Sequence, residues 1–278
     1  MNMKKLFVLL PFAVIIMVTG CGEKQQEKKE TKKETKVITE NKLSADHLIL
    51  ATLWYQKSAE MQALYIQSYN WAKRIIDEKI SKKSAKKPAV ILDIDETVLD
   101  NSPFEANCIA TGMGYSSESW NEWSAMMKAT PLPGTIDFLN YAKSKGVEIF
   151  YITNRKTAEK EWTLTNMQQL NIPSADTAHI LFRTDGSGKE PRRKMVAEKF
   201  DVILLIGDNL ADFSELYENR DDQLAKNIVE KDKDKFGTEY IILPNPMYGE
   251  WENALYKYNK DLTEQQKDSI RRNALIGY

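Results

Sequence analysis

Pro88-Ala89-Val90-Ile91-Leu92-Asp93-Ile94-Asp95-Glu96-Thr97 is the stretch that decides the fold. Four apolar residues, 89–92, lie between a proline and an acidic turn. A short run of this kind reads as a strand buried on both faces. Comparable runs recur at 147–152, 180–182, 202–206 and 240–243, with helical stretches between them at 135–145, 158–170, 189–199 and 211–219. Alternating strands and helices predict an α/β fold, a parallel sheet flanked by helices. Such sheets gather ligands outside the carboxyl ends of their strands. The polar residues just after each apolar run are therefore the candidates for chemistry.

Upstream, residues 44–80 read as helix, with Ser44 as N-cap. Trp54, Met61, Tyr65, Ala72 and Ile76 recur on one face. A basic loop, 81–87, leads to Pro88. The first residues are of another kind. Lys4 and Lys5 precede a nearly all-apolar run, 6–18, which has the length of a secretory leader and is short for a membrane span. It ends in Val18-Thr19-Gly20-Cys21, which resembles a bacterial lipobox. Residues 22–42 carry seven lysines and five glutamates and almost nothing apolar, so they cannot order themselves by burial. The expected organisation is a lipoprotein signal peptide at 1–20, a charged tether at 21–43 and a folded domain at 44–278. The protein is then exported and held by lipid on Cys21 at a bacterial membrane, either the outer membrane or the cell surface. Cys108, the one other cysteine, is left without a partner and is read as a small buried hydrophobe.

The whole chain has a formal net charge of −1. Leader and tether are both positive, so the remainder is mildly acidic, which gives no argument for a nucleic-acid polymer as partner. Gly186-Ser187-Gly188-Lys189 fails as a P-loop, because Arg183 stands where a glycine is needed and Glu190 where Ser or Thr is needed. His47 and His179 are the only histidines, and no zinc pattern exists. Asp221-Asp222 and 231–235 read as solvated loops.

Four strand ends carry residues that fit one chemistry: Asp93-Ile94-Asp95-Glu96-Thr97, Thr153-Asn154-Arg155, Lys189, and Gly207-Asp208-Asn209-Leu210-Ala211-Asp212. Cleaving a phosphate ester needs a nucleophile, and a carboxylate can attack phosphorus. Two anions repel, so a hard cation such as Mg²⁺, which takes carboxylate oxygens, must sit with them. The leaving alkoxide needs a proton from a second carboxyl, and the phosphoryl oxygens need fixed donors. Asp93 can attack. Asp95 can give the proton and later take one from water. Asp208 can complete the metal site, with Asp212 holding its waters or Lys189. Thr153 and Lys189 can hold phosphoryl oxygens.

In this order the motifs resemble those of the haloacid-dehalogenase (HAD) superfamily. The fuller wording around Asp93 to Pro103, with Gly207 to Phe213, is similar to the bacterial class C acid phosphatases, and most similar to the lipoprotein e family of 5′-nucleotidases. The resemblance spans about residues 45–258. It implies a HAD-like Rossmannoid sheet with a small, mainly helical cap or accessory domain, whose parts are placed at about 44–80 and 100–133. It implies Asp93 as nucleophile and metal ligand, and Asp95 as acid/base with its carbonyl on the metal. Asp208 becomes the third protein ligand, Asp212 an outer carboxylate, and Thr153 and Lys189 the phosphate holders. Trp120 and Tyr248 match rings that clamp a nucleobase, with Asn101 and Phe104 lining the pocket and Asn154 and Arg155 beside the substrate. Base stacking on such rings contributes about 1–3 kcal/mol per base. Trp123, Trp162 and Trp251 are assigned structural roles.

The expected function is Mg²⁺-dependent hydrolysis of nucleoside 5′-monophosphates through an aspartyl phosphate. Two other readings stay open. One is a broad acid phosphatase or phosphotransferase, and the other is a non-catalytic surface lipoprotein that binds a ligand such as haem or a nucleotide. The sequence leaves the oligomeric state open, a homodimer included.

Overall fold

The computed structural model of the chain describes residues 45–82, 84–220 and 223–278. The leader, Cys21, the tether, the Ser44 cap and Asp221-Asp222 lie outside the described residues. None of the described helices is long and apolar enough to cross a membrane.

After a 3-10 turn at Asp46–Leu48 come helices α1 (Ile49–Lys57) and α2 (Ala59–Ile80). Strand β1 (Pro88–Leu92) leads through the acidic turn to β2 (Leu99–Asp100), α3 (Ser102–Thr111), α4 (Ser117–Met126) and β3 (Thr130–Pro131). There follow α5 (Thr135–Ser144), β4 (Glu148–Lys156), α6 (Lys160–Gln169), β5 (Ile180–Arg183), α7 (Glu190–Lys199) and β6 (Asp201–Gly207). The chain ends with α8 (Lys226–Lys231), β7 (Tyr240–Ile242), α9 (Glu250–Leu255) and α10 (Glu264–Asn273).

The main sheet has the order β5-β4-β1-β6-β7, and every neighbouring pair is parallel. This is the sheet the apolar runs predict. β1 is central, and its side chains alternate between faces. Val90 and Leu92 enter the larger core with Tyr65, Tyr69, Ala72 and Ile76 of α2 and Phe138, Leu139 and Ala142 of α5. Ala89 and Ile91 enter a smaller core with Phe150 and Val196. The residues between β1 and α5 form an excursion whose ends are tied together. β2 and β3 pair antiparallel, Leu99 with Pro131 and Asp100 with Thr130.

Three expectations need correction. The helix over 44–80 is broken at Ser58, whose backbone is extended and whose Oγ accepts the Met61 N–H at 3.0 Å. A serine that caps the following helix stops the preceding one, so Trp54 does not share a helix with Met61. Residues 211–219 are not a helix but two 3-10 turns, Leu210–Asp212 and Glu215–Tyr217. Asn209 and Ser214, both extended, each bond a backbone N–H two residues on, and these local bonds compete with helix propagation. Residues 231–235 are not a loop, since α8 runs to Lys231 and a 3-10 turn covers Lys233–Lys235. Elsewhere β4 runs four residues beyond its predicted end, so Thr153-Asn154-Arg155 lies on the strand itself.

Candidate active site

The acidic turn after β1 is a strained and supported piece of backbone. Glu96 has φ of +52°, the left-handed region that costs a non-glycine residue of order 1 kcal/mol. Helix α2 holds this turn from behind. The Tyr65 hydroxyl donates to the Glu96 carbonyl at 2.5 Å and the Tyr69 hydroxyl to the Thr97 carbonyl at 2.6 Å. The Tyr55 hydroxyl meets that of Tyr65 at 2.5 Å. The Glu96 side chain is fully buried, with Oε1 accepting the Asn101 N–H at 2.7 Å.

On the other side of the turn, the Asp93 N–H donates to the Ile206 carbonyl at 3.0 Å. That bond joins the ends of β1 and β6, which brings Asp93 beside Asp208. Asp93, Asp208 and Asp212 offer carboxylate oxygens that all lie within 4.8 Å of one another. Lys189, 5% exposed, sits among them, its Nζ 2.5 Å from Asp93 Oδ1 and 2.6 Å from Asp212 Oδ1. Asp212 Oδ2 accepts the Asn209 N–H at 3.0 Å, and Asn245 Nδ2 donates to Asp208 Oδ2 at 2.9 Å.

The electrostatics follow from this crowding. Burial pushes the Asp93 carboxyl well above the usual carboxylate range, Lys189 opposes the rise, and Asp212, Asp208 and Asp95 add to it. Burial and then Asp212 push Asp208 up to about 7, against the Asn245 hydrogen bond. Burial alone would lower Lys189, but Asp212 and Asp93 outweigh it and hold the ammonium raised. Three carboxylates against one ammonium leave an excess of negative charge among hard oxygen donors. That donor set suits a divalent cation, with Asp93, Asp208 and Asp212 as its residues.

Asp95, two residues beyond Asp93, belongs to a second network. Its Oδ1 accepts Arg155 Nε at 2.9 Å, Arg155 Nη2 at 2.8 Å and Asn101 Nδ2 at 2.9 Å. Arg155 is buried and also donates to Thr163 Oγ1. Burial opposes its charge, and the Asp95 carboxylate outweighs burial and raises the guanidinium further. Thr153 is fully buried, its Oγ1 accepting the Arg155 N–H at 3.1 Å. Asn154 is exposed and its Oδ1 accepts Arg192 Nη2 at 3.0 Å.

Trp120 and Tyr248 lie in different packing groups. Trp120 meets the buried Phe104 edge-on at 5.2 Å and stands 5.6 Å from the Arg155 guanidinium. Tyr248 packs against the larger core. Cys108 is buried and free, beside Phe104.

Several residues at this site gave no separate signal in sequence. Arg192 donates to the carbonyls of Thr153, Leu181 and Gly188; it lies three residues after Lys189, and that spacing was the available clue. Glu159 is buried and accepts from Trp120 Nε1 at 2.7 Å and from Ser124 Oγ at 3.2 Å. Trp123, assigned a structural role, donates its indole N–H to Asn101 Oδ1 at 2.8 Å and so touches the Asp95 network.

Comparison with known proteins agrees with this geometry. A family profile described as HAD superfamily, subfamily IIIB (acid phosphatase), matches residues 17–251. The chain is similar to the solved class C acid phosphatase from Bacillus anthracis. Identity is 44% and the TM-score 0.82, and the match covers 85% of this chain and 99% of that one. A second structure of that Bacillus anthracis protein, with tungstate bound, matches with the same identity, coverage and TM-score. The HAD-like fold and the class C resemblance expected from the motifs are both met.

Proposed function

We propose that this chain, which belongs to the acid phosphatases of HAD superfamily subfamily IIIB, hydrolyses nucleoside 5′-monophosphates through a phosphoenzyme on Asp93. As a member of that family it is a phosphatase acting on small phosphomonoesters. The observation that supports the phosphoenzyme reading is the Asp93–Lys189–Asp212 bridge with Asp208 alongside. Its carboxylate oxygens and one ammonium lie within a few ångströms of one another, and these are the groups that a nucleophile, a phosphoryl holder and metal ligands would require.

An Asp93 oxygen attacks phosphorus while the ester P–O bond breaks. Asp95 gives its proton to the departing alkoxide. Water then attacks the aspartyl phosphate, Asp95 takes a proton from it, and inorganic phosphate leaves with the Asp93 carboxylate restored. Lys189 and Thr153 hold the phosphoryl oxygens. Asp93, Asp208 and Asp212 would hold Mg²⁺, which would supply positive charge to offset the repulsion between carboxylate and phosphoryl group. The tungstate in the Bacillus anthracis relative supports a phosphate-binding centre, since tungstate is also a tetrahedral oxyanion.

For the leaving group, Trp120 supplies an aromatic face, held by Glu159 and Phe104, and Tyr248 is the second ring of the proposed clamp. We extend the reading to an exported protein lipidated on Cys21. Incorporation of labelled fatty acid should then be lost in Cys21→Ala.

The test is phosphate release from AMP, UMP, nicotinamide mononucleotide and an aryl phosphate, with and without Mg²⁺. The reading requires Mg²⁺-dependent preference for the nucleotides. Equal rates on all four would remove the nucleotide clamp and leave a broad phosphatase. Asp93→Asn should bind substrate and fail to turn it over; turnover by that variant would end the phosphoenzyme mechanism.

A further inference from the structure

We infer that Trp123 is a positioning residue for Asp95, acting through Asn101, so that the seating of helix α4 sets the geometry of the proton donor. The inference rests on the reading of Asp95 as general acid. Asn101 is 1% exposed, so its amide must satisfy itself within the protein. Its Oδ1 takes two donors, Trp123 Nε1 at 2.8 Å and Arg155 Nη2 at 3.3 Å. Both are donors only. The amide oxygen must therefore face them, and Nδ2 is left to point at Asp95 Oδ1, 2.9 Å away. Arg155 grips the same carboxylate from the strand side at 2.8 and 2.9 Å. Asp95 is thus held between a strand residue and an amide whose orientation an accessory helix helps to fix.

The helix itself is pinned one turn away. Trp120 and Ser124, at the spacing that shares a helix face, both donate to Glu159 Oε1. Glu159 Oε2 accepts the Lys156 N–H at 2.7 Å, at the end of β4. One short helix therefore carries both the ring proposed to meet the leaving group and the indole that orients the acid behind it. Loosening the seat of α4 at Trp123 withdraws one of the two donors that set the Asn101 amide. A flipped amide would then present its oxygen to the Asp95 carboxylate.

Leaving groups separate this from a merely structural role. An alkoxide must be protonated as it departs, whereas p-nitrophenolate leaves without help from an acid. Trp123→Phe keeps a ring and removes the N–H. We expect its kcat/KM for AMP to fall roughly tenfold, the scale of one lost orienting hydrogen bond, with KM within about twofold and p-nitrophenyl phosphate nearly unaffected. Asn101→Ala should also lower kcat/KM for AMP more than for the aryl ester, and Trp123→Phe added to it should cost no more, since both act through the one amide; Asn101→Ala decides the matter if Trp123→Phe does not fold. Asp95→Asn is the control. If its kcat/KM falls no more on AMP than on the aryl ester, the general-acid reading fails first. If Asp95→Asn discriminates between the substrates while Trp123→Phe and Asn101→Ala lower both alike or neither, the positioning role is overturned.

Discussion

Gly207 lies directly beneath Asp212. A Cβ built on Gly207 would stand 2.2 Å from Asp212 Oδ2 and 2.6 Å from its Cβ, so the carboxylate that faces Lys189 occupies the space a side chain would need. Gly207→Ala should push Asp212 off Lys189. We expect a loss of about 1–3 kcal/mol in stability, the usual cost of forcing a methyl into filled space, and a fall in phosphate release. Chemical denaturation and a phosphate assay read the two effects. Unchanged activity would mean that Asp212 does not need this seat.

The excess negative charge at Asp93, Asp208 and Asp212 predicts that divalent metal stabilises the fold. A cation that binds only the folded state at a hundredfold excess over its Kd should contribute about 2.7 kcal/mol. Thermal melting across a Mg²⁺ titration, with a chelator at the start, checks this. A flat Tm for every divalent ion tried would contradict the metal site.

Lys189→Met removes the one ammonium from the same cluster. Breaking a buried ion pair from one side costs about 3–5 kcal/mol, and the variant should be inactive on every substrate. Because its carboxylates repel one another more strongly, its Tm should also rise further with Mg²⁺ than that of the parent. A smaller metal response than the parent's would argue that Lys189 does not neutralise the cluster.

Glu105 of α3 is 8% exposed, and burial, then Glu252, push its carboxyl up to about 7. Free glutamate titrates near 4.3. Between those values the folded protein retains a proton that the unfolded chain has released, so this group's contribution falls as pH rises through the window and stays low above it. Glu105→Gln should be close to neutral at about pH 4.5 and more stable than the parent by roughly 1–3 kcal/mol at about pH 8. Urea unfolding at both pH values measures the difference. A pH-independent effect would contradict a buried, proton-retaining Glu105.

The Tyr69 hydroxyl bonds the Thr97 carbonyl at 2.6 Å inside the core. Tyr69→Phe should cost about 1–3 kcal/mol, because the carbonyl is left buried without that partner, and should lower kcat through a looser acidic turn. If kcat is unchanged while stability falls, the tyrosine supports the fold and not the turn.

The parallel sheet was legible because its central strands are largely buried on both faces and its strands read as unbroken apolar runs. The polar motifs were legible because three of them lie at or near a strand's carboxyl end, and the fourth, Lys189, caps the helix that follows β5. What did not show in the sequence depends on side chains that meet only in space. The resemblance implies Arg155 beside the substrate, and nothing in its sequence position tells that its guanidinium also pairs with Asp95. Trp123 differs from any core tryptophan only in where its indole N–H points. The turns over 211–219 were missed for another reason. Asn209 and Ser214 cap backbone N–H groups locally, and a periodicity argument does not weigh that competition.

The pairing of β2 with β3 brings the two ends of residues 101–129 back to adjoining positions, so the sheet meets this segment as it would meet a short hairpin. Its internal length is then nearly independent of the strands that carry the aspartates, since each doubling of a closed loop costs only about 0.6 kcal/mol. Selection can enlarge, trim or rewrite the excursion to suit a new leaving group while the phosphate chemistry stays where it is. One constraint on that freedom is the pair of hydrogen bonds by which Trp120 and Ser124 reach out of the segment to Glu159. A graft of this segment from one relative to another would have to carry Glu159 with it.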